Sequence, residues 1–113
     1  MQLITAIIQP TKLSTVRDAL QDLGVDHIKV CDAMGYGRQH GQTASFRGNE
    51  YRVDLLRKIS IEVAVPYHDV DRVIDAIRKS AITGSAGQIG DGKVFVIPIV
   101  QAIDIGKWQP ESL

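Results

Sequence analysis

Apolar and polar residues alternate or recur at regular spacing along most of this chain, and these patterns predict its secondary structure. Residues 2–9 form an apolar run that ends at Pro10, which is typical of a strand. Residues 58–65 alternate with a period of two, and residues 94–100 are almost continuously apolar, as in a strand covered on both faces. A less regular alternation over residues 27–34 predicts one more strand.

Two further segments carry apolar residues at helical spacing. Residues 13–23 predict a helix with Ser14 as its N-cap and Gly24 at its C-terminal end. Residues 69–81 predict a helix with acidic residues in its first turn and basic residues in its last, as the helix dipole favours. The resulting order of elements predicts an α+β protein with the ferredoxin-like βαββαβ fold. Because two helices cover only one face of such a sheet, the apolar second face predicts a homo-oligomer.

The segment from Gly35 to Lys58 breaks this regularity. It begins with three glycines in seven residues and holds five basic side chains (Arg and Lys) against two acidic ones. Irregular loops of this length are uncommon inside a compact domain and are often functional. We therefore expect this loop to carry the function.

Composition narrows the classes of function. Thirteen basic and thirteen acidic residues cancel, which argues against general binding to nucleic acid or to a membrane surface. The single cysteine, Cys31, excludes an internal disulfide, and no apolar run approaches the roughly 20 residues that span a bilayer. Because only 5% of the residues are aromatic, RNA binding by the sheet is also disfavoured. We expect a cytoplasmic protein without direct membrane insertion.

Candidate chemistry is concentrated at two places. In Gly90-Asp91-Gly92-Lys93 the glycines allow backbone N–H groups to approach an anion, and the lysine adds positive charge. The spacing is not that of a P-loop, and an ordinary turn before a strand is at least as good an explanation. Arg38 and Lys58 bracket the long loop. If its ends converge their charges favour a bound anion, although two solvated charges are the simpler explanation.

Other residues give weaker signals. Gln39 offers a neutral oxygen to a hard cation, and Tyr51 is a candidate contact or modification site in the loop. The three histidines have no metal-ligand spacing, and no serine or cysteine stands in a nucleophile motif. The residue pattern alone therefore makes no case for an enzyme.

Four motifs are spread over nearly the whole chain. They read Ala6-Ile7-Ile8-x-Pro10-x-Lys12-Leu13, Gly35-Tyr36-Gly37-Arg38-Gln39, Arg47-Gly48-x-Glu50-Tyr51 and Ile89-Gly90-Asp91-Gly92-Lys93-Val94-Phe95-Val96. In this order they resemble the PII nitrogen-regulatory signal transduction proteins. The resemblance implies a single PII-type domain, residues 1–113, that forms a ferredoxin-like homotrimer. It also implies three named loops: a long T-loop between the second and third strands (about 36–57), a B-loop (about 82–93) and a C-terminal loop (about 101–113).

The same resemblance implies ligands, partners and site residues. Clefts between subunits bind ATP or ADP and, with Mg²⁺, 2-oxoglutarate, while the T-loop docks onto an ammonium channel, another transporter, an enzyme or a transcription regulator. The residues it assigns to the nucleotide are Gly35, Gly37, Arg38, Glu62, Gly90, Asp91, Gly92 and Lys93. It assigns Gln39 and Lys58 to 2-oxoglutarate, Gln39 also to Mg²⁺, and Tyr51 to uridylylation. It implies a regulator with no catalytic residues.

Three features depart from the family pattern. Asn49 stands where some relatives have a phosphorylated serine, and Phe46 replaces the tyrosine of the T-loop signature. The stretch Ser85–Gln88 occupies a place where the family usually has one residue, so the B-loop is longer. Asp104 and Gly106 stand where the family usually has two arginines that reach the nucleotide, and an aspartate repels a triphosphate. Two alternatives therefore stay open: a PII-like sensor of ADP, AMP or a non-nucleotide effector in another pathway, and a weak ATPase.

Overall fold

The computed structural model describes residues 1–25, 27–40 and 51–106, of which residues 34–40 and 51–56 are described by their backbone alone. Its strands and helices, in chain order, are β1 (Gln2–Ile8), α1 (Leu13–Asp22), β2 (Lys29–His40), β3 (Tyr51–Val65), α2 (Val70–Ala81) and β4 (Gly92–Pro98). Short 3-10 helices, Pro10–Lys12 and Tyr67–Asp69, lead into α1 and α2.

The described strands form one antiparallel sheet in the order β2-β3-β1-β4. At the end of β1, Ile8 pairs with Ile59 of β3 on one side and with Gly92 of β4 on the other. This topology confirms the ferredoxin-like α+β fold that the sequence predicts. It also brings the start of β4 beside the end of β1, where the candidate site lies.

Both helices pack against one face of the sheet. The residues that form this core are Ile4, Ala6, Ile8, Val16, Leu20, Ile59, Ile61, Val63, Val65, Val73, Ile77 and Ala81. Those in β1 and β3 alternate along the strands, and those in α1 and α2 recur at helical spacing, so the sequence pattern identified the core side of each element.

Of the two predicted ends of α1, the structure confirms the C-terminal end and contradicts the N-terminal one. Gly24 has φ +85°, its N–H donates to the Gln21 carbonyl at 2.9 Å, and the Val25 N–H donates to the Leu20 carbonyl at 3.0 Å. This left-handed C-terminal end is the one predicted. The predicted N-cap was wrong: α1 begins at Leu13, Ser14 lies within its first turn, and no side chain caps the helix. The 3-10 helix that begins at Pro10 feeds the backbone directly into α1 and replaces a side-chain cap. In the described part of the chain, no helix is long and apolar enough to cross a membrane.

The strands on either side of the predicted T-loop are longer than the residue pattern indicates. β2 continues to His40 and β3 begins at Tyr51, with pairs such as Gly37 with Asp54. The loop expected to be irregular from Gly35 to Lys58 is therefore paired strand at both of its ends. In β2 the glycines pair through their backbone without an apolar alternation, so no pattern revealed that extension. In β3 the run Arg52-Val53-Asp54-Leu55 does alternate, a signal that the sequence-based prediction passed over. Residues 41–50, which include Phe46 and Asn49, lie outside the described residues.

β4 forms an edge of the sheet, two residues earlier in the chain than predicted. Phe95 and Ile97 are each 47% exposed. Their pairing with Thr5 and Leu3 places them on the sheet face opposite the helices, which we call the open face. The expected second cover of this apolar strand is therefore not provided by the described part of the chain.

Candidate functional site

A hydrogen-bonded loop connects α2 to β4 and forms the centre of the candidate site. The Asp91 carboxylate accepts hydrogen bonds from the hydroxyl (2.6 Å) and the backbone N–H (3.0 Å) of Thr83, and from the backbone N–H of Gln88 (2.7 Å). The Thr83 hydroxyl, followed by these N–H groups and the charge of Lys12, lowers the pKa of Asp91 below its usual value. Asp91 is thus ionised at neutral pH and closes the loop between Thr83 and itself.

The carbonyl oxygen of Gly90 links this loop to two other parts of the fold. It accepts a hydrogen bond from Gln9 Nε2 at 2.7 Å, just after β1, and another from Lys58 Nζ in β3. The B-loop is therefore tied to the strand that leads out of the T-loop. Since an ammonium group has three N–H donors, Lys58 can contact Gly90 and an anion at the same time.

Gly92 marks the point where the chain enters the sheet. It has φ +131°, and a Cβ atom there would collide with the carbonyl oxygen of Ile7, so the backbone conformation and the packing both require glycine. The next residue, Lys93, is exposed and pairs with Ile7, which pairs with Ser60 on its other side. Directly paired residues share a face, as do residues two apart, so Lys93 and Lys58 both belong to the open face.

Glu62 lies further along the same face of β3. The Thr5 hydroxyl is 3.5 Å from Glu62 Oε2, Lys29 Nζ is 3.7 Å from Oε1, and the Glu62 side chain is 29% exposed. Glu62 follows Lys58 by four positions, a distance of about 13 Å at about 3.3 Å per residue. The open face therefore offers cations at one end and a carboxylate at the other, which suits an elongated ligand with one anionic end.

A cleft of about 360 Å³ lies between α2 and β4, on the helix side of the same loop. Its walls are mainly apolar, with Ile74, Ile77 and Val94 among them, while Arg78, Asp91 and Lys93 add charged groups to its lining. Apolar walls do not suit a phosphate group. We therefore assign the anion chemistry to the open face, where strand pairing puts Lys58 and Lys93, and not to the apolar interior of this cleft.

Four residues assigned to ligands lie in β2, where the structure describes only their backbone. Gly35 pairs with Leu56, Gly37 with Asp54, Arg38 with Val53, and Gln39 with Arg52. The side chains of Arg38 and Gln39 lie outside the described residues, as does that of Tyr51, so their roles stay predictions. The pairing places their backbone in the ribbon that leads away from Lys58.

Two residues of the site were missed by sequence reasoning. Gln9 contacts Gly90 across 81 positions of sequence, and no local pattern reveals such a contact. Thr83 opens the glycine-rich stretch eight residues before Asp91, which is at most a weak signal for a hydroxyl-to-carboxylate bond.

Asp104, which departs from the family pattern, lies in the chain that follows β4. Asp104 Oδ1 accepts a hydrogen bond of 2.8 Å from the Gly106 N–H, which closes a tight turn. The repulsion between Asp104 and a nucleotide stays a prediction, and Lys107, which could offset it, lies outside the described residues.

The donor set fits a phosphate group or another small anion. Gly90 leaves the backbone open to close approach, Lys58 and Lys93 supply charge, and the carboxylate of Asp91 is engaged by its own loop. Within the described ranges, no three His, Cys, Asp or Glu side chains come together to hold a metal ion. A Mg²⁺ ion would depend on Gln39 and on the phosphates themselves.

Comparisons with known proteins match the chain over nearly its whole length. The family model described as "Nitrogen regulatory protein P-II" matches residues 1–107. A nitrogen regulatory protein P-II of Rhizobium etli is 46% identical over 112 residues, which cover 99% of this chain and 97% of the relative. The protein of that name from Bradyrhizobium diazoefficiens is 50% identical over 105 residues, 93% of this chain and 91% of the relative. Nitrogen regulatory protein P-II 1 of Escherichia coli K12 is 46% identical over the same shares.

Proposed function

Because the chain belongs to the nitrogen regulatory protein P-II family, whose members are regulatory signal transducers and not enzymes, we propose that it senses an adenine nucleotide. In this proposal ATP or ADP binds in clefts between the subunits of a homotrimer in the cytoplasm. The bound ligand controls how the T-loop is presented to a regulated protein such as an ammonium channel, another transporter or a metabolic enzyme.

The observation that carries this proposal is the convergence of the B-loop with the base of the T-loop. Lys58 of β3 donates to the carbonyl of Gly90, and Lys93 of β4 lies on the same face of the sheet, with β1 between the two strands. A polyphosphate placed here is held by both lysines and by the N–H groups around Gly92. A ligand that contacts Lys58 therefore acts directly on the strand that continues into the T-loop.

Regulation follows if the ligands bind the conformations of this ribbon unequally. Gln39 and Lys58 would then bind 2-oxoglutarate, and Gln39 would also offer its side-chain oxygen to Mg²⁺. Tyr51, in the same ribbon, is the candidate for uridylylation. The output reports the energy state of the cell together with its carbon and nitrogen supply.

A second candidate function keeps the fold and changes the ligand. Asp104 stands in a turn where the family usually supplies an arginine, and its charge opposes a triphosphate more than a ligand with fewer phosphates. This favours a sensor of ADP or AMP, or of a non-nucleotide effector, in a different pathway. Family membership disfavours the remaining alternative, a weak ATPase.

Calorimetric titration with ATP, ADP and AMP, and with 2-oxoglutarate in the presence of Mg-ATP, tests the proposal. The informative variant is Lys93→Ala, and its matched control is Lys79→Ala, an exposed lysine of α2 that pairs with Asp75. We expect the wild-type protein and the control to bind ATP or ADP equally well. Lys93→Ala should bind about tenfold more weakly or worse, because a hydrogen bond to a charged group contributes about 1.5–3 kcal/mol.

Binding of AMP alone would favour the second candidate. If none of the three nucleotides binds, the proposed function is contradicted.

A further inference from the structure

We infer that Asp91 is a positioning residue, whose carboxylate holds the lengthened B-loop in the shape that receives the phosphates. The inference rests on the proposed function, because it names what sets the geometry of that same site. It also reassigns Asp91 from contact with the nucleotide to contact with its own loop.

Both carboxylate oxygens face donors of the loop. Oδ1 accepts the Thr83 hydroxyl at 2.6 Å, and Oδ2 accepts the N–H groups of Thr83 (3.0 Å) and Gln88 (2.7 Å). A Cβ atom on Gly87 would lie 3.2 Å from Oδ2, so the loop packs closely around this carboxylate. We call these three hydrogen bonds the Asp91 clamp.

The clamp joins the start, the middle and the end of the loop. Gln88 belongs to the stretch Ser85–Gln88, which occupies the place of one residue in the family pattern. The clamp therefore engages the additional residues directly. It fixes them against Thr83 at the end of α2 instead of leaving them to extend over the site.

This restraint is needed because the loop backbone is intrinsically permissive. Gly84, Gly87, Gly90 and Gly92 all have positive φ, with values from +69° to +131°. Glycine loses more conformational freedom on ordering than other residues, so a loop with this composition needs specific bonds to keep one shape. Hydrogen bonds that involve a charged acceptor are among the stronger ones available for this purpose.

The clamp also fixes the residues that meet the ligand. Gly90, immediately before Asp91, presents its carbonyl to Gln9 and Lys58, while Lys93 follows two residues after Asp91. Asp91 is thus bonded to its own loop, while the preceding residue, Gly90, is bonded to Gln9 after β1 and to Lys58 of β3. Loss of the clamp removes the bonds that hold this side of the loop, so the peptide groups between Gln88 and Gly92 lose part of their fixed direction toward an anion.

The test uses two variants of the clamp and two controls. Asp91→Asn keeps the size of the side chain but removes its charge and one acceptor oxygen. Thr83→Val removes the hydroxyl donor, and Thr83→Ser retains it. Asp75→Asn, on the exposed side of α2, is the matched control for loss of one acidic charge.

Two quantities are measured in each protein: the affinity for ATP and ADP, and the hydrogen exchange of the Thr83 and Gln88 amides by NMR. We expect Asp91→Asn to bind nucleotide about tenfold more weakly and to exchange both amides faster. Thr83→Val should also weaken nucleotide binding and speed the exchange of both amides, by smaller factors. Thr83→Ser and Asp75→Asn should bind nucleotide with an affinity within about twofold of wild type. A change of that size is typical of a surface substitution that removes no specific contact.

The outcomes separate this inference from the proposed function. If wild type binds nucleotide and Asp91→Asn binds it equally well, the positioning role is overturned while the proposed function stands. Unchanged amide exchange in Asp91→Asn overturns the clamp itself. Absence of nucleotide binding by wild type overturns the proposed function and the positioning role together, and the exchange rates still report whether the clamp exists.

Discussion

Single residues decide the geometry of the site, and Gly92 shows how. Its φ of +131° is a conformation that residues with a Cβ rarely adopt, and a Cβ there would collide with the Ile7 carbonyl. The backbone of β4 can therefore reach β1 only with glycine at this position. The chemical role of Lys93 depends on this contact, because the pairing of Lys93 with Ile7 follows immediately.

Gly92→Ala should lower the free energy of unfolding by about 2–4 kcal/mol, because it combines backbone strain with a clash against another backbone. Gly24→Ala is the matched control: Gly24 also has positive φ, at +85°, but a Cβ atom added there would have no other atom within 4 Å. The control should lose only about 1 kcal/mol from strain. Urea denaturation at one protein concentration measures both, and equal losses in the two variants would contradict the argument from the clash.

At the scale of elements, the sequence predicts the strands and helices whose apolar residues pack into the core. The alternation of Ile59, Ile61 and Val63 in β3 and the spacing of Val73 and Ile77 in α2 follow directly from packing against one shared core. The end of α1 at Gly24 was predictable for a similar reason, since a left-handed backbone conformation selects glycine.

Elements that depend on backbone pairing or on distant contacts were not predictable in this way. The extension of β2 to His40 rests on backbone pairing through its glycines, so the pattern suggested a loop there. The extension of β3 to Tyr51 carried a short alternation, Arg52-Val53-Asp54-Leu55, that is too brief to outweigh the irregular residues before it. The start of α1 follows from a 3-10 helix at Pro10, which made Ser14 unnecessary as a cap.

In the candidate site, the residues with recognisable local chemistry were predictable, and the contacts between distant residues were not. Gly90, Gly92, Lys93 and Lys58 carry recognisable residue chemistry for an anion. The contact from Gln9 and the Asp91 clamp were not visible, because they depend on where the folded chain brings distant residues.

At the scale of the whole molecule, the open face is the feature that one chain leaves incomplete. Phe95 and Ile97 lie there, each 47% exposed, beside half-buried residues of β1. Apolar groups arranged together on one face gain free energy when a second surface covers them. This supports the proposed homotrimer, in which further copies of the chain complete the site.

Phe95→Asp should therefore prevent self-association, because it puts a charge on the surface that the proposed trimer buries between copies. The matched control is Tyr67→Asp, which changes an aromatic residue that is 77% exposed in the 3-10 helix before α2. Light scattering after size-exclusion chromatography should give the mass of a trimer for wild type and for the control. A lower mass is expected for Phe95→Asp, and a trimer of unchanged stability in that variant would count against the open face as the interface.

The central claim is that the B-loop and the base of the T-loop ribbon together form a phosphate site. A crystal structure of the wild-type protein grown with ATP and Mg²⁺ tests it most directly. We predict phosphate oxygens within hydrogen-bond distance of Lys93 and of the backbone N–H groups around Gly92, with the rest of the nucleotide extending along the open face toward Glu62. A nucleotide bound elsewhere, with Gly90 to Lys93 making no contact to it, would contradict the account.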